Sequence, residues 1–349
     1  MTEHEHDNHI VNHFLESDNE LPIYVIYQQL KGYPNEIDNM RLICLHCKSD
    51  HNQRVAMEYL YAVGLLEELH DVIAKNRTSI HKKNRTAALA YQLMYDRKNL
   101  SNKQVKPKMI RQSIKEINRI EAEADDDIFP ILKDLLHIYC YFDMHQYGKI
   151  GLYNDRIKIG LDRLMDPLLR ELLEHRLDET LFIYHWKRNE LILSRKYGYR
   201  LLANTNNDYK KIDIHNMLAQ GYLFESYEQA IQHAHFALEL AKKTANARAV
   251  YGLTNYTIPF ISAYYRKTEG LVTENKAEQA HIALANGNVE ECISILEEFN
   301  ELTPFQQYYL GMARKDKHLL KQSYQRFIYE RDDYFYAKLP LQALNALDQ

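Results

Sequence analysis

Helix-breaking residues are scarce in this chain: its 349 residues include 11 Gly and 8 Pro. That is too few for a many-stranded sandwich or barrel, whose turns need such residues roughly every 8–12 positions. Only four cysteines occur, Cys44, Cys47, Cys140 and Cys292, each inside a helical pattern. A disulfide framework is thereby excluded and buried thiols are expected. Cys44-Leu45-His46-Cys47 resembles half of a zinc site, but the second pair is missing and His51 is the one extra candidate nearby. No window approaches the ~18 uninterrupted apolar residues of a membrane helix. Residues 1–12 are too polar for a signal peptide, so a cytoplasmic protein without membrane contact is expected. A phosphate-binding glycine loop, a zincin histidine pair, a nucleophile elbow and a dinucleotide fingerprint are all absent, so no enzyme, no cofactor and no metal is expected.

What is present is helical periodicity. Residues 278–300 read EQAHIALANGNVEECISILEEFN. Ala280, Ala283 and Leu284 recur at helical spacing, Gly287 breaks the run because it tolerates positive φ, and Val289, Cys292, Ile293, Leu296 and Phe299 form a second stripe. Asn288 with Glu291 predicts a capping box. Ser226 with Gln229 predicts another before Tyr227, Ala230, Ile231, Ala234 and Leu238. The two caps lie 62 residues apart, close to two periods of a ~34-residue helix pair. A third copy starts at Asp316, with Leu320, Tyr324, Phe327 and Ile328 as its stripe. One hairpin cannot bury its own apolar face, so the prediction is an all-α, tetratricopeptide-like helical-repeat solenoid over residues 35–349, with a peptide-binding groove. Residues 1–34 read as a small remnant of a helix-turn-helix. The 27 tyrosines fit a core or inner wall that grips a peptide.

Charge is unevenly spread. The net charge is -4, yet residues 75–119 hold thirteen Lys plus Arg against Asp96 and Glu116, followed by the acidic run EAEADDD at 121–127. A clustered basic surface suits phosphates, and Lys82, Lys83 and Arg85 are its candidate nucleic-acid contacts. Residues 1–33, by contrast, carry six acids against Lys31, a balance that repels DNA. His4, His6, His9 and His13 sit in this stretch, with His9 and His13 at metal-binding spacing but no third ligand, so a polar terminus is the expected reading. Farther on, a core helix is expected over residues 128–148, capped by Gly148.

The sequence resembles the arbitrium receptors, AimR, of temperate Bacillus phages, relatives of the helical-repeat pheromone sensors of Gram-positive bacteria. The matching words are EQAH at 278–281, Tyr308-Tyr309-Leu310-Gly311 and DYFYAKLP at 333–340, with weaker matches in FESYE at 224–228 and in HFLESDNE and KGYP near the start. The resemblance implies an intracellular receptor, in a bacterial host cell, for a short arginine-containing peptide that regulates a lysis-lysogeny transcript. It implies that Glu278 and Asp333 contact the peptide's arginine, with Asn189 as a further contact and Lys210 or Lys211 near the peptide's carboxylate. DNA is the implied second partner and a homodimer the implied assembly. The first DNA-binding helix of the family is missing here, which leaves a second expectation: a peptide sensor that sequesters a regulatory protein.

Overall fold

The computed structural model describes residues 3–17, 19–99 and 107–348, with side chains from residue 10 onward. The side chains of His4, His6 and His9 lie outside the described residues, as do residues 100–106 of the basic segment. The fold is all-α: helix follows helix from Glu3–Glu16 to Lys338–Leu347, with no strand among the described residues. Stacked helix pairs make up the chain, as the periodicity predicts. It divides into two compact units, Met1–Met144 with Lys149–Thr180, and His145–Gly148 with Leu181–Gln349. The division falls within the helix Pro167–Lys187. Among the described residues no helix is long and apolar enough to cross a membrane.

In the first unit, the stretch 36–77 forms three helices, Glu36–His46, Asp50–Val63 and Leu66–Arg77. Gly64, at φ 87°, ends the middle one in the left-handed region. The N-terminal stretch is tied to this group by side chain to backbone bonds. Asn52 Oδ1 accepts from the Ile23 amide at 3.1 Å, and Glu20 accepts from the amides of Lys48 and Ser49. The expected helix over 128–148 stops early, at Asp143. His145 takes the positive φ of 56°, and Gly148 instead lies in a short 3-10 turn. A Cβ on Gly148 would meet the Asp332 side chain at 2.9 Å, so close approach rather than capping requires glycine there.

In the second unit the predicted hairpin appears as Lys276–Ala285 and Val289–Glu297, joined through Gly287 at φ 83°. Capping differs in detail. Asn288 makes no side-chain bond to the helix start and instead donates to the Glu291 carboxylate at 3.2 Å. Asp316 caps as expected; at Ser226 only half of the expected box forms, because its hydroxyl accepts from the Gln229 amide while its own amide donates to the Tyr222 carbonyl, and a full capping box forms instead at Thr303 and Gln306. The helix Ile258–Tyr264 starts after a π-turn at Leu253–Thr257. Pro259 has no amide to offer the Asn255 carbonyl, and Thr273 Oγ1 donates to that oxygen at 2.9 Å instead. All four cysteines are buried and free, and burial pushes the thiols of Cys47 and Cys140 up to about 12, out of thiolate chemistry.

After the helix Tyr227–Lys243, the exposed Ala245 occupies the left-handed region at φ 51° while its neighbour's amide closes back on Ala241. A Cβ there costs about 1–2 kcal/mol, partly offset by the looser unfolded chain of glycine. Ala245→Gly is therefore expected to raise stability by roughly 0.5–1 kcal/mol, measured as a higher urea midpoint; a lower midpoint would refute the backbone argument.

Candidate functional site

The DYFYAKLP word begins one turn after the helix Lys317–Tyr329, and its backbone folds onto the end of Pro167–Lys187. The amides of Tyr334 and Phe335 both donate to the Lys187 carbonyl, at 2.8 and 3.2 Å. This brings Asp333, 2% exposed, against the Lys187 side chain. Asp333 Oδ2 accepts from Lys187 Nζ at 2.9 Å, and Oδ1 accepts from the Tyr336 amide at 3.0 Å. The Lys187 ammonium also lies over the rings of Trp186 and Tyr336, 3.9 and 4.5 Å from their centroids. Burial nevertheless lowers its pKa, against the opposing pull of Asp333.

Glu278 reaches the same aromatic cluster from the helix Lys276–Ala285, whose start is capped by Asn275 Oδ1 on the Glu278 amide. It is 8% exposed. Its carboxylate receives only long contacts: Tyr309 OH on Oε1 and the His281 Nδ1 on Oε2, both at 3.4 Å. His281 and Tyr309 stack on each other, ring centroids 4.2 Å apart. No lysine or arginine pairs with Glu278 among the described residues. Burial holds the Tyr336 hydroxyl well above the ordinary phenol range, and the negative charges of Asp333 and Glu278 add to it. That hydroxyl donates to Gln220 Oε1 at 2.6 Å. Both acids that the sequence words single out are thus buried within electrostatic reach of Tyr336, Asp333 in contact with its amide and Glu278 in contact with Tyr309 and His281. Beside them, Trp186 Nε1 is a buried donor with no acceptor.

The other candidate residues are less buried than Glu278 and Asp333. Asn189 is exposed and at φ 62°, in the turn that follows Lys187, where its amide donates to the Trp186 carbonyl at 2.9 Å. Asparagine tolerates this backbone. Lys210 and Lys211 are half-buried in the first turn of Asp208–Gly221. Near them is a cluster that no sequence signal revealed. The Nδ1 atoms of His215 and His233 are 2.8 Å apart, His233 Nε2 meets Tyr199 OH at 3.2 Å, and Tyr199 OH meets Tyr222 OH at 2.9 Å. Burial, with the neighbouring His215, pushes His233 down to about 4, and burial with Lys211 lowers His215 from the ordinary imidazole value, so both shifts favour the neutral ring. Their partnership spans two helices 18 residues apart and leaves no periodic trace.

In the first unit, the nucleic-acid candidates are largely occupied. Lys83 Nζ donates to Asp125 Oδ2 at 2.8 Å, so the acidic run folds back onto the basic segment. Arg85 donates to the carbonyls of Ser79 and Ile80, both at 2.7 Å, closing the loop before its own helix. Lys82 has no such partner among the described residues. A cavity of about 780 Å³ lies beneath the helix Pro107–Arg119, floored by Leu93, Ile117, Leu136 and Cys140 and by the Arg97–Asp143 ion pair. Among the described residues no three His, Cys, Asp or Glu side chains gather as a metal site.

A family model described as AimR transcriptional regulator-like matches residues 36–346. An uncharacterised protein of Bacillus anthracis is 25% identical over 225 residues, covering 61% of this chain and 83% of that one. A solved structure of phAimR with its ligand is similar with a TM-score of 0.72 at 17% identity, over 99% of this chain and 98% of that one. A selenomethionine phAimR structure gives 0.66 at 16%, over 99% and 96%. At such identity the structural likeness is one of fold.

Proposed function

Because this chain belongs to the AimR transcriptional regulator-like family, we propose that it is a receptor for a short peptide and that it regulates transcription according to whether the peptide is bound. The observation that carries this reading is Glu278: a carboxylate nearly removed from water, given only two 3.4 Å contacts and no cation. A buried acid so thinly satisfied is costly unless a partner arrives. The partner it fits is a guanidinium, which brings a permanent charge and paired donors. Asp333 supplies a second acid around Tyr336, and its present cation is exchangeable in principle because burial already disfavours the charged form of Lys187. The orphan Trp186 indole N–H offers a donor for a guest carbonyl. Asn189, Lys210 and Lys211 complete the proposed contacts along the helices Pro167–Lys187 and Asp208–Gly221.

A guest bound here shifts conformation or dimer geometry only through unequal affinity for the two states. The test is a thermal-shift screen with short arginine-containing peptides encoded beside the gene. Saturating peptide, at about 100 times its Kd, adds about 2.7 kcal/mol to the wild type. Glu278→Gln keeps the shape and removes the charge, and is expected to weaken binding by roughly 10- to 100-fold. Full stabilisation of Glu278→Gln by the same peptide would remove this carboxylate from the site.

A further inference from the structure

We propose that the helix Pro107–Arg119 is a phosphate-contacting face and that its partner is duplex DNA; this rests on the reading of the chain as a regulator of transcription. Lys108, Arg111, Lys115 and Arg119 follow one another at intervals of three, four and four residues. At 100° per residue they fall in a single stripe about 80° wide. All four are exposed, and none pairs with an acid among the described residues. The opposite face carries Ile110 and Ile117, both buried, with Ile114 half-buried between them. Packing therefore sets the side on which the stripe lies: the isoleucines hold the helix on the body, and the cations are exposed, with Lys108, Arg111 and Lys115 also lining the cavity beside the helix.

The stripe is about 16 Å long at 1.5 Å per residue, a length over which duplex DNA presents on the order of ten phosphates. Glu116 is the one acid on the helix, and its carboxylate accepts from Gln112 at 3.0 Å. The acidic run that follows in sequence is partly engaged elsewhere. Asp125 binds Lys83, and Asp126 caps the next helix by accepting from the amides of Ile128 and Phe129, both at 3.1 Å. A membrane surface is the less suitable partner, because an interfacial helix must offer an apolar face, and here that face is already buried apart from Met109 at its edge. The contact is to backbone phosphates, so it is independent of base sequence.

The experiment compares three full-length proteins by fluorescence anisotropy on a labelled random-sequence duplex at several salt concentrations. One is the wild type; one carries Lys108→Gln, Arg111→Gln, Lys115→Gln and Arg119→Gln. The third removes the same charge from the second unit through Lys242→Gln, Arg248→Gln, Lys315→Gln and Lys321→Gln. The wild type is expected to show a log–log salt slope steeper than the stripe variant by about 3 to 4, since each phosphate contact contributes about 0.9. The second-unit variant is expected to keep the wild-type slope. Equal slopes in the stripe variant and the wild type, or an equal loss in the two variants, overturns the assignment. So does binding to phosphatidylglycerol vesicles without binding to the duplex. Absence of duplex binding by the wild type at low salt overturns it as well, and peptide-induced stabilisation measured on the same samples then shows whether the receptor reading survives.

Discussion

Replacing Arg176 by methionine is expected to destabilise the first unit by about 3–5 kcal/mol, the cost of leaving a buried charge without its partner. Arg176 and Glu58 are 2% and 0% exposed. Arg176 Nη1 donates to Glu58 Oε2 at 2.6 Å, and the guanidinium lies over the Tyr61 ring, 4.6 Å from its centroid. The same carboxylate oxygen accepts from Tyr91 OH at 2.7 Å, while Oε1 has no partner. Burial holds the Tyr91 phenol well above its ordinary range, so it remains a donor and does not supply a compensating charge. With Arg176 gone, a carboxylate out of reach of water keeps one phenol bond. The double variant Glu58→Met, Arg176→Met is expected to recover most of the loss, because apolar side chains of similar volume replace buried ion pairs at little cost. Urea unfolding monitored by circular dichroism measures both. A single variant within 1 kcal/mol of the wild type, or a double variant no better than the single, would contradict this account.

The second large effect is an asymmetry at Lys187 and Asp333. Lys187→Met is expected to cost on the order of 3 kcal/mol, since it strands a carboxylate that is 2% exposed with only the Tyr336 amide as donor. Asp333→Asn should cost less, about 1–2 kcal/mol, because lysine escapes the penalty by releasing its proton and the new amide oxygen still accepts from Tyr336. The pH dependence follows the same logic. Lys187 is lowered in the folded state relative to its ordinary value of 10.5. Between the folded and unfolded values the unfolded chain binds more protons, so stability from this group rises with pH over the window that ends at the ordinary value. Asp333→Asn removes the attraction that opposes the lowering, and the rise should then begin at a lower pH than in the wild type. Urea midpoints across pH 6 to 10 test this; a flat or falling profile in Asp333→Asn would exclude a deprotonating lysine.

Legibility followed the range of the interactions. The hairpin at Gly287, the caps at Ser226 and Asp316, and the four buried thiols all depend on neighbours within a few residues, so spacing alone exposed them. The helix expected to run to Gly148 failed for the opposite reason: the need for glycine comes from Asp332, far along the chain. The EQAH and DYFYAKLP words pointed to Glu278 and Asp333, yet no pattern indicated that Lys187, 146 residues before Asp333, would hold it.

By itself the sequence determined the helical class, the hairpin repeats and most of the positions that turn inward, Val289 at a helix start being left exposed, because periods of three and four residues and the freedom of glycine at positive φ are local physics. Only the tertiary structure decided which charges are free. Lys83 and Arg85 read as surface cations until Asp125 and the Ser79 and Ile80 carbonyls claim them, while Lys108, Arg111, Lys115 and Arg119 are left to solvent. Glu58 and Arg176 become one ion pair across 118 residues. Charge pairing depends on distance in space, and in a stack of helix pairs that distance is set by packing, which spacing along the chain does not encode.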